Sequence, residues 1–175
     1  KAGYGLVCYD IADIAGQVPE GAVIAGSVAE VAQQADIAII SVNSRQAVDA
    51  VIEEIATTSA PTVTTVIDTS TIGSETSRRA YKRLAAVGIE YIDSPVAGAS
   101  GGQGIGPAAA ASASLTFIIA GKDDAVARVR PALENLGKKF FHVGQEPGQA
   151  QAVKLINNFL IGTAMTATAE AMLYG

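Results

Sequence analysis

Short apolar runs of strand length alternate with helical stretches along nearly the whole chain, and this alternation restricts the fold more than any other feature. Leu6 to Tyr9, Val23 to Ala25, Ile37 to Val42, Thr62 to Ile67, Ile89 to Ile92, Leu115 to Ala120 and Lys139 to Val143 read as strands. Between them lie helical segments: one that Ser27 can cap and that ends near Gln34, then Arg45 to Ala56, then Glu75 to Val87, which stops at Gly88. A further helix is expected from Asp123, read as its cap, to about Leu136, kinked by Pro131, and a last one from about Gln149. Apolar strands separated by helices predict an α/β domain with a doubly wound, Rossmann-like parallel sheet, because right-handed crossovers lay helices over both faces.

Composition narrows the function. The 175 residues are 49% hydrophobic and 17% charged, which suits one globular domain with a substantial core. The net charge of −5 and the scatter of the 12 Lys and Arg residues leave no basic stripe, which argues against a nucleic-acid partner. Cys8 is the only cysteine and His142 the only histidine, so an internal disulfide is excluded, no metal site is expected, and a reducing cytoplasm fits. Ser94 to Gly121 carries no charge, but its glycines and Pro107 would strand backbone polar groups in lipid. It therefore reads as a loop leading into a buried strand, not as a membrane span.

The best clue to chemistry is GQAQAVKLINN, Gly148 to Asn158. Lys154 and Asn158 are four apart and project from one helix face, within joint reach of a small molecule. Lys154 is the only formal charge between Glu146 and Glu170, among Leu155, Ile156, Phe159, Leu160 and Ile161. Desolvation lowers a lysine's pKa, which equips it to exchange a proton near neutral pH. At another strand end, Asp10 follows LVCY where an acid can bind ribose hydroxyls and repel a 2′-phosphate, favouring NAD with NADP as the alternative. The chain opens with KAGYG, read as a helix end running into a strand, so an opening strand, turn and helix are expected upstream. The last helix is apolar around much of its circumference and calls for cover by a second domain or another chain.

Taken together, IDTSTIGSETSRR (Ile67 to Arg79), YIDSPVAG (Tyr91 to Gly98) and PGQAQAVKLINNFL (Pro147 to Leu160) resemble the β-hydroxyacid dehydrogenase family, which includes 3-hydroxyisobutyrate dehydrogenases and is related to 6-phosphogluconate dehydrogenase. The resemblance implies residues 1–147 as a dinucleotide-binding domain incomplete at its start, and 148–175 as a helix leading to an all-helical domain. It implies Lys154 as the catalytic lysine, with Asn158, Ala97, Gly98 and Ala99 at the substrate and Asp10, Val42, Asn43 and Thr71 at the cofactor. The implied reaction is hydride transfer between nicotinamide and a small β-hydroxyacid or its carbonyl counterpart, in a homodimer or homotetramer. The chain departs from the family in lacking a GxGxxG turn, in reading Pro95-Val96-Ala97-Gly98-Ala99 for the common PVSGG, and in carrying Ala150 where relatives often have glycine. These departures keep open a dinucleotide-binding or dimerisation module without catalysis, and the resemblance extends to related reductases, which leaves an imine or semialdehyde reductase on the same fold as the other alternative.

Overall fold

A computed structural model describes residues 2–98 and 106–174. In chain order the elements are β1 (Val7–Cys8), β2 (Val23–Ile24), α1 (Val28–Gln34), β3 (Ile37–Ile40), α2 (Arg45–Thr57), β4 (Thr65–Asp68), α3 (Ser74–Ala85) and β5 (Glu90–Asp93). They continue as β6 (Val96–Ala97), α4 (Gly106–Ala111), β7 (Leu115–Ala120), α5 (Asp123–Leu133), β8 (Gly137–Gly144) and α6 (Gln149–Tyr174).

β3, β4 and β5 run parallel and in level register, with Ile40 opposite Asp68 and Asp68 opposite Asp93. Beyond β5 the sheet departs from the parallel expectation. β7 pairs antiparallel with β5 through Asp93 and Ala120, and antiparallel with β6 through Val96–Phe117 and Ala97–Thr116. β8 then runs parallel to β7. A parallel neighbour needs a long crossover, usually helical. The Ser94 to Ser114 connection has only the six-residue α4 as its described helix, beside the short β6, and the chain returns antiparallel. β1 and β2 form a separate two-stranded parallel sheet, with Val7 opposite Val23.

Alternation along the strands divides the core. Val66 and Tyr91 face Val48, Ile52 and Ile55 of α2 and Ala80 and Leu84 of α3. Ile67, Ile92, Phe117 and Ile119 face Val126, Val129 and Leu133 of α5 on the opposite side. Helices thus cover both faces, as a doubly wound sheet requires. Burial of each such side chain contributes roughly 1.5–3 kcal/mol. Two exposed ion pairs, Arg79–Asp49 at 2.9 Å and Arg83–Glu53 at 2.6 Å, join α3 to α2.

Helix ends follow local rules where the side chains permit. Ser27 Oγ accepts from Glu30 N at 3.1 Å while the Glu30 carboxylate accepts from Gly26 N at 2.7 Å, so α1 starts where expected. Gly88, with φ +78°, lies just past α3. Asp123 is not a cap. Lys122 is the N-cap of α5, and the Asp123 carboxylate instead accepts from Gln145 Nε2 at 2.8 Å. Pro131 lies inside α5, which ends at Leu133, short of the expected Leu136. No helix among the described residues is long and apolar enough to cross a membrane.

The two aspartates that end β4 and β5 are fully buried side by side. Asp68 accepts from Ser70 N at 2.9 Å and from the Tyr91 hydroxyl at 3.1 Å. Those bonds favour its charged form, but burial outweighs them and, with Asp93 nearby, lifts its pKa from 3.8 to about 6. A folded-state pKa above the unfolded one means that folding favours the protonated acid. Its stabilising contribution is complete below the unfolded value and is lost as pH rises to about 6. An amide at this position accepts from Ser70 N through its oxygen and donates through its nitrogen to the Tyr91 hydroxyl oxygen, which keeps two hydrogen bonds without the charge. Asp68→Asn is therefore expected to gain on the wild type by up to about 3 kcal/mol between pH 3.8 and about 6, read from urea unfolding across that range. A stability difference that does not move with pH would refute this assignment.

Candidate active site

The level ends of β3, β4 and β5 place three loops side by side at the carboxyl edge of the parallel strands, where ligands bind in sheets of this kind. The β3 loop carries Val42 and Asn43, the β4 loop carries Thr71, and Asp93 leads through Ser94 and Pro95 to Ala97 and Gly98. Val42 N donates to Ser70 Oγ at 3.0 Å, and Thr69 N donates to Ile40 O at 2.8 Å, so the first two loops are bonded to each other. Asn43 and Thr71 remain exposed.

The start of α6 is bonded into the same edge. Asp93 accepts from Gly148 N at 2.9 Å, from Gln151 N at 3.2 Å and from Gln151 Nε2 at 2.8 Å. An acid at a helix N-terminus satisfies amides that have no partner within the helix. Burial nevertheless raises the Asp93 pKa above its ordinary value, against the opposing pull of the Gln151 and Gly148 bonds. Gln151 Oε1 accepts from Ile72 N at 2.9 Å and Gly73 N at 3.1 Å, and its Nε2 also donates to Ser70 O at 3.0 Å. Ser74 Oγ donates to Gly148 O at 2.6 Å.

Lys154 follows Gln151 by three residues and Asn158 by seven, so the three lie along one stripe of α6. Gln151 is fully buried, Lys154 half-buried and Asn158 exposed, a gradient from the protein interior to the surface. Desolvation lowers the Lys154 pKa, and among the described residues it has no ion-pair or hydrogen-bond partner. Ala150, with its methyl in place of a frequent glycine, is buried against Ile118 and Ala120.

Other candidates are placed differently. Asp10 follows β1 in the separate sheet, exposed, where its carboxylate accepts from Ala12 N at 2.9 Å in a local turn. Ala97 belongs to strand β6, paired with Thr116, where a loop was expected, and Gly98 is half-buried beside it. Ala99 lies outside the described residues. His142 Nε2 meets Gly121 O at 2.9 Å, a structural contact. Among the described residues no group of His, Cys, Asp and Glu side chains is arranged to hold a metal. Asp93, Gly148 and Gln151 were not singled out from sequence as site residues. Position gave a partial signal for the first two, one within the DSPV segment and the other opening the lysine helix.

An open α/β sheet with polar loops at its carboxyl edge defines a dinucleotide-binding class of domain. Residues 1–144 match the family described as the NAD binding domain of 6-phosphogluconate dehydrogenase, and the chain belongs to that family, among the β-hydroxyacid dehydrogenases. It is 42% identical over 110 residues to a 3-hydroxyisobutyrate dehydrogenase of Pseudomonas aeruginosa, covering 63% of this chain and 34% of that protein. It is 34% identical to the NAD-dependent L-serine dehydrogenase of the same organism, covering 100% of this chain and 57% of that protein. Among solved structures, a 3-hydroxyisobutyrate dehydrogenase from Salmonella typhimurium superposes with a TM-score of 0.83 at 28% identity, over 98% of this chain and 59% of that one. An imine reductase from Myxococcus stipitatus reaches 0.83 at 18% identity, over 98% and 57%, a likeness of fold alone. The chain spans between a third and a little over half of each of these relatives.

Gly148, immediately before α6, occupies a backbone conformation and a space that strain any other residue. Its φ is +91°, and an added Cβ would lie 2.9 Å from Ser74 O and 3.0 Å from Ser74 Cβ. Gly148→Ala is expected to destabilise the fold by roughly 1–3 kcal/mol, from backbone strain and displacement of the first turn of α6. Thermal denaturation checks this, and an unchanged midpoint would show that the helix start is free to shift.

Proposed function

We propose that the protein is an NAD(P)-dependent oxidoreductase acting on a small β-hydroxyacid or the matching carbonyl compound, with Lys154 as its proton-transfer residue. The observation that carries this reading is the placement of a half-buried lysine of lowered pKa one turn beyond a helix start bonded to the carboxyl edge of the sheet. A lowered pKa populates the neutral amine closer to neutral pH, so Nζ can take the proton of a substrate hydroxyl and return it to a carbonyl oxygen. The charged form, in a partly desolvated setting, stabilises negative charge developing on that oxygen. Asn158, four residues along the same face, offers an amide to the substrate's polar groups, and the Ala97-Gly98-Ala99 segment is assigned to the substrate with it.

The residues at the strand ends fit the sugar and nicotinamide portions of a dinucleotide. Exposed Asn43 and Thr71 stand on loops bonded to each other, and Val42 packs against the core. The dinucleotide, when bound, supplies or accepts the hydride. Asp10 selects NAD by accepting from ribose hydroxyls and repelling a 2′-phosphate. No GxGxxG turn occurs in these 175 residues, so the pyrophosphate needs donors from elsewhere. We assign residues 1–147 to the dinucleotide-binding unit and 148–175 to a helix entering a helical domain. Two features favour this division: β1 and β2 stand apart from the main sheet, and α6 exposes Phe159, Leu160, Met165, Met172 and Leu173. The same surface suits a homodimer or homotetramer, and the free Cys8 suits the cytoplasm.

Full-length protein with Lys154→Ala is expected to lose turnover by at least about 10²–10⁴-fold on its hydroxyacid, the range general acid–base groups supply. NADH affinity should stay close to wild type. Oxidation rates over a panel of small hydroxyacids, with NADH titration, check both. Turnover within a few-fold of wild type rejects the assignment, and NADH binding without turnover by the wild-type protein on any substrate favours a binding module instead.

A further inference from the structure

The side chain of Gln151 is completely buried, and every hydrogen-bonding position of its amide is engaged within the protein. The oxygen accepts from Ile72 N at 2.9 Å and Gly73 N at 3.1 Å. The nitrogen donates to Ser70 O at 3.0 Å and Asp93 Oδ1 at 2.8 Å. Two acceptor lone pairs and two hydrogens are the full capacity of a carboxamide. The amide can therefore sit only one way round, and it grips Ser70, Ile72 and Gly73, the residues that bracket Thr71.

Gly73 is the N-cap of α3 and has no side chain with which to cap it. The oxygen of Gln151, from 78 residues further along the chain, meets the amides at that helix start instead. The same residue belongs to the first turn of α6, where its own backbone N–H donates to Asp93 at 3.2 Å. One side chain thus joins the loop proposed to meet the nicotinamide end of the cofactor to the helix that presents Lys154.

We propose that Gln151 is a positioning residue: its side-chain amide sets the separation between the Thr71 loop and Lys154, and with it the alignment of hydride transfer and proton transfer. This inference rests on the reading of Lys154 given above. Gln151 touches no ligand itself and acts through the two segments it joins. Hydride and proton transfers are sensitive to placement, and a displacement of about 1 Å costs on the order of a hundredfold in rate.

Gln151→Glu tests the idea by keeping the shape and changing the donor. One carboxyl oxygen can still accept from Ile72 N and Gly73 N, but the other faces two acceptors, Ser70 O and Asp93, and joins the network only while it carries a proton. The charged or titratable groups around it are Asp93 of β5, with Asp68 and Tyr91 beside that acid, Arg45 of α2 near Gly73, and Lys154 on α6 itself. In full-length Gln151→Glu, kcat is expected within a few-fold of wild type at acidic pH. As the introduced carboxyl ionises, kcat should fall on the order of a hundredfold relative to wild type, with KM changing less.

Gln151→Asn, which retains the amide but withdraws it by one methylene, should lower kcat at every pH, and it serves as the test if Gln151→Glu does not fold. Amide hydrogen exchange at Ile72 and Gly73 should quicken in both. A pH profile superimposable on wild type, with kcat per folded molecule and exchange unchanged, overturns the proposal. Lys154→Ala is measured alongside: if it retains wild-type turnover, the functional reading fails on its own account. Exchange at Ile72 and Gly73 then decides whether Gln151 joins the two segments, and unchanged protection would show that it does not.

Discussion

The carboxyl group of Asp93, closing on one turn of α6, is the contact on which the arrangement of the site depends. It accepts from two backbone amides and one side-chain amide of residues more than fifty positions away. Without it, the buried backbone amides of Gly148 and Gln151 would lose their acceptor, and nothing else in the described structure would bond that helix to the end of β5. The contact needs a backbone that turns sharply just before the helix. Gly148 supplies the turn at a conformation and a distance from Ser74 that a side chain would obstruct.

The setting of Asp93 also shows how burial and hydrogen bonding compete. Asp68 and Asp93 end neighbouring strands and occupy directly opposed positions in the register. Each receives hydrogen bonds that favour its charged form, yet for each burial prevails and the pKa rises. Lys154 has no such contest. Only desolvation acts on it, in the direction that makes an amine easier to deprotonate. Desolvation therefore acts in one sense on the buried acids and on the lysine, disfavouring the charged form of each.

Much of the architecture was legible in the chain because strands covered on both faces must be apolar throughout, and the helices between them show a clear repeat. α6 has the bounds expected at its start, and Ser27 caps α1 through the side-chain oxygen that suggested it. The reversal at β7 was not legible, since hydrophobic periodicity is the same for either strand direction and the segment before it is nearly all glycine, alanine and serine. Asp123 misled for a local reason: an acid in the first turn of a helix resembles a cap until the backbone shows that Lys122 holds that place. Among the candidate site residues, Lys154 stood out as a lone cation, and Asn158 by its spacing. Gln151 could not stand out, because its partners lie 58 to 81 residues away and an uncharged polar residue in a helix is unremarked in sequence.

The closed bonding of Gln151 also bears on how the candidate site could change its preferences. A residue with no free donor or acceptor cannot reward or penalise any particular molecule that enters. Choice among ligands must then reside in the neighbours whose polar atoms still face solvent, and those can vary without disturbing the frame that holds them. The same scaffold can thus be retained while its selectivity drifts.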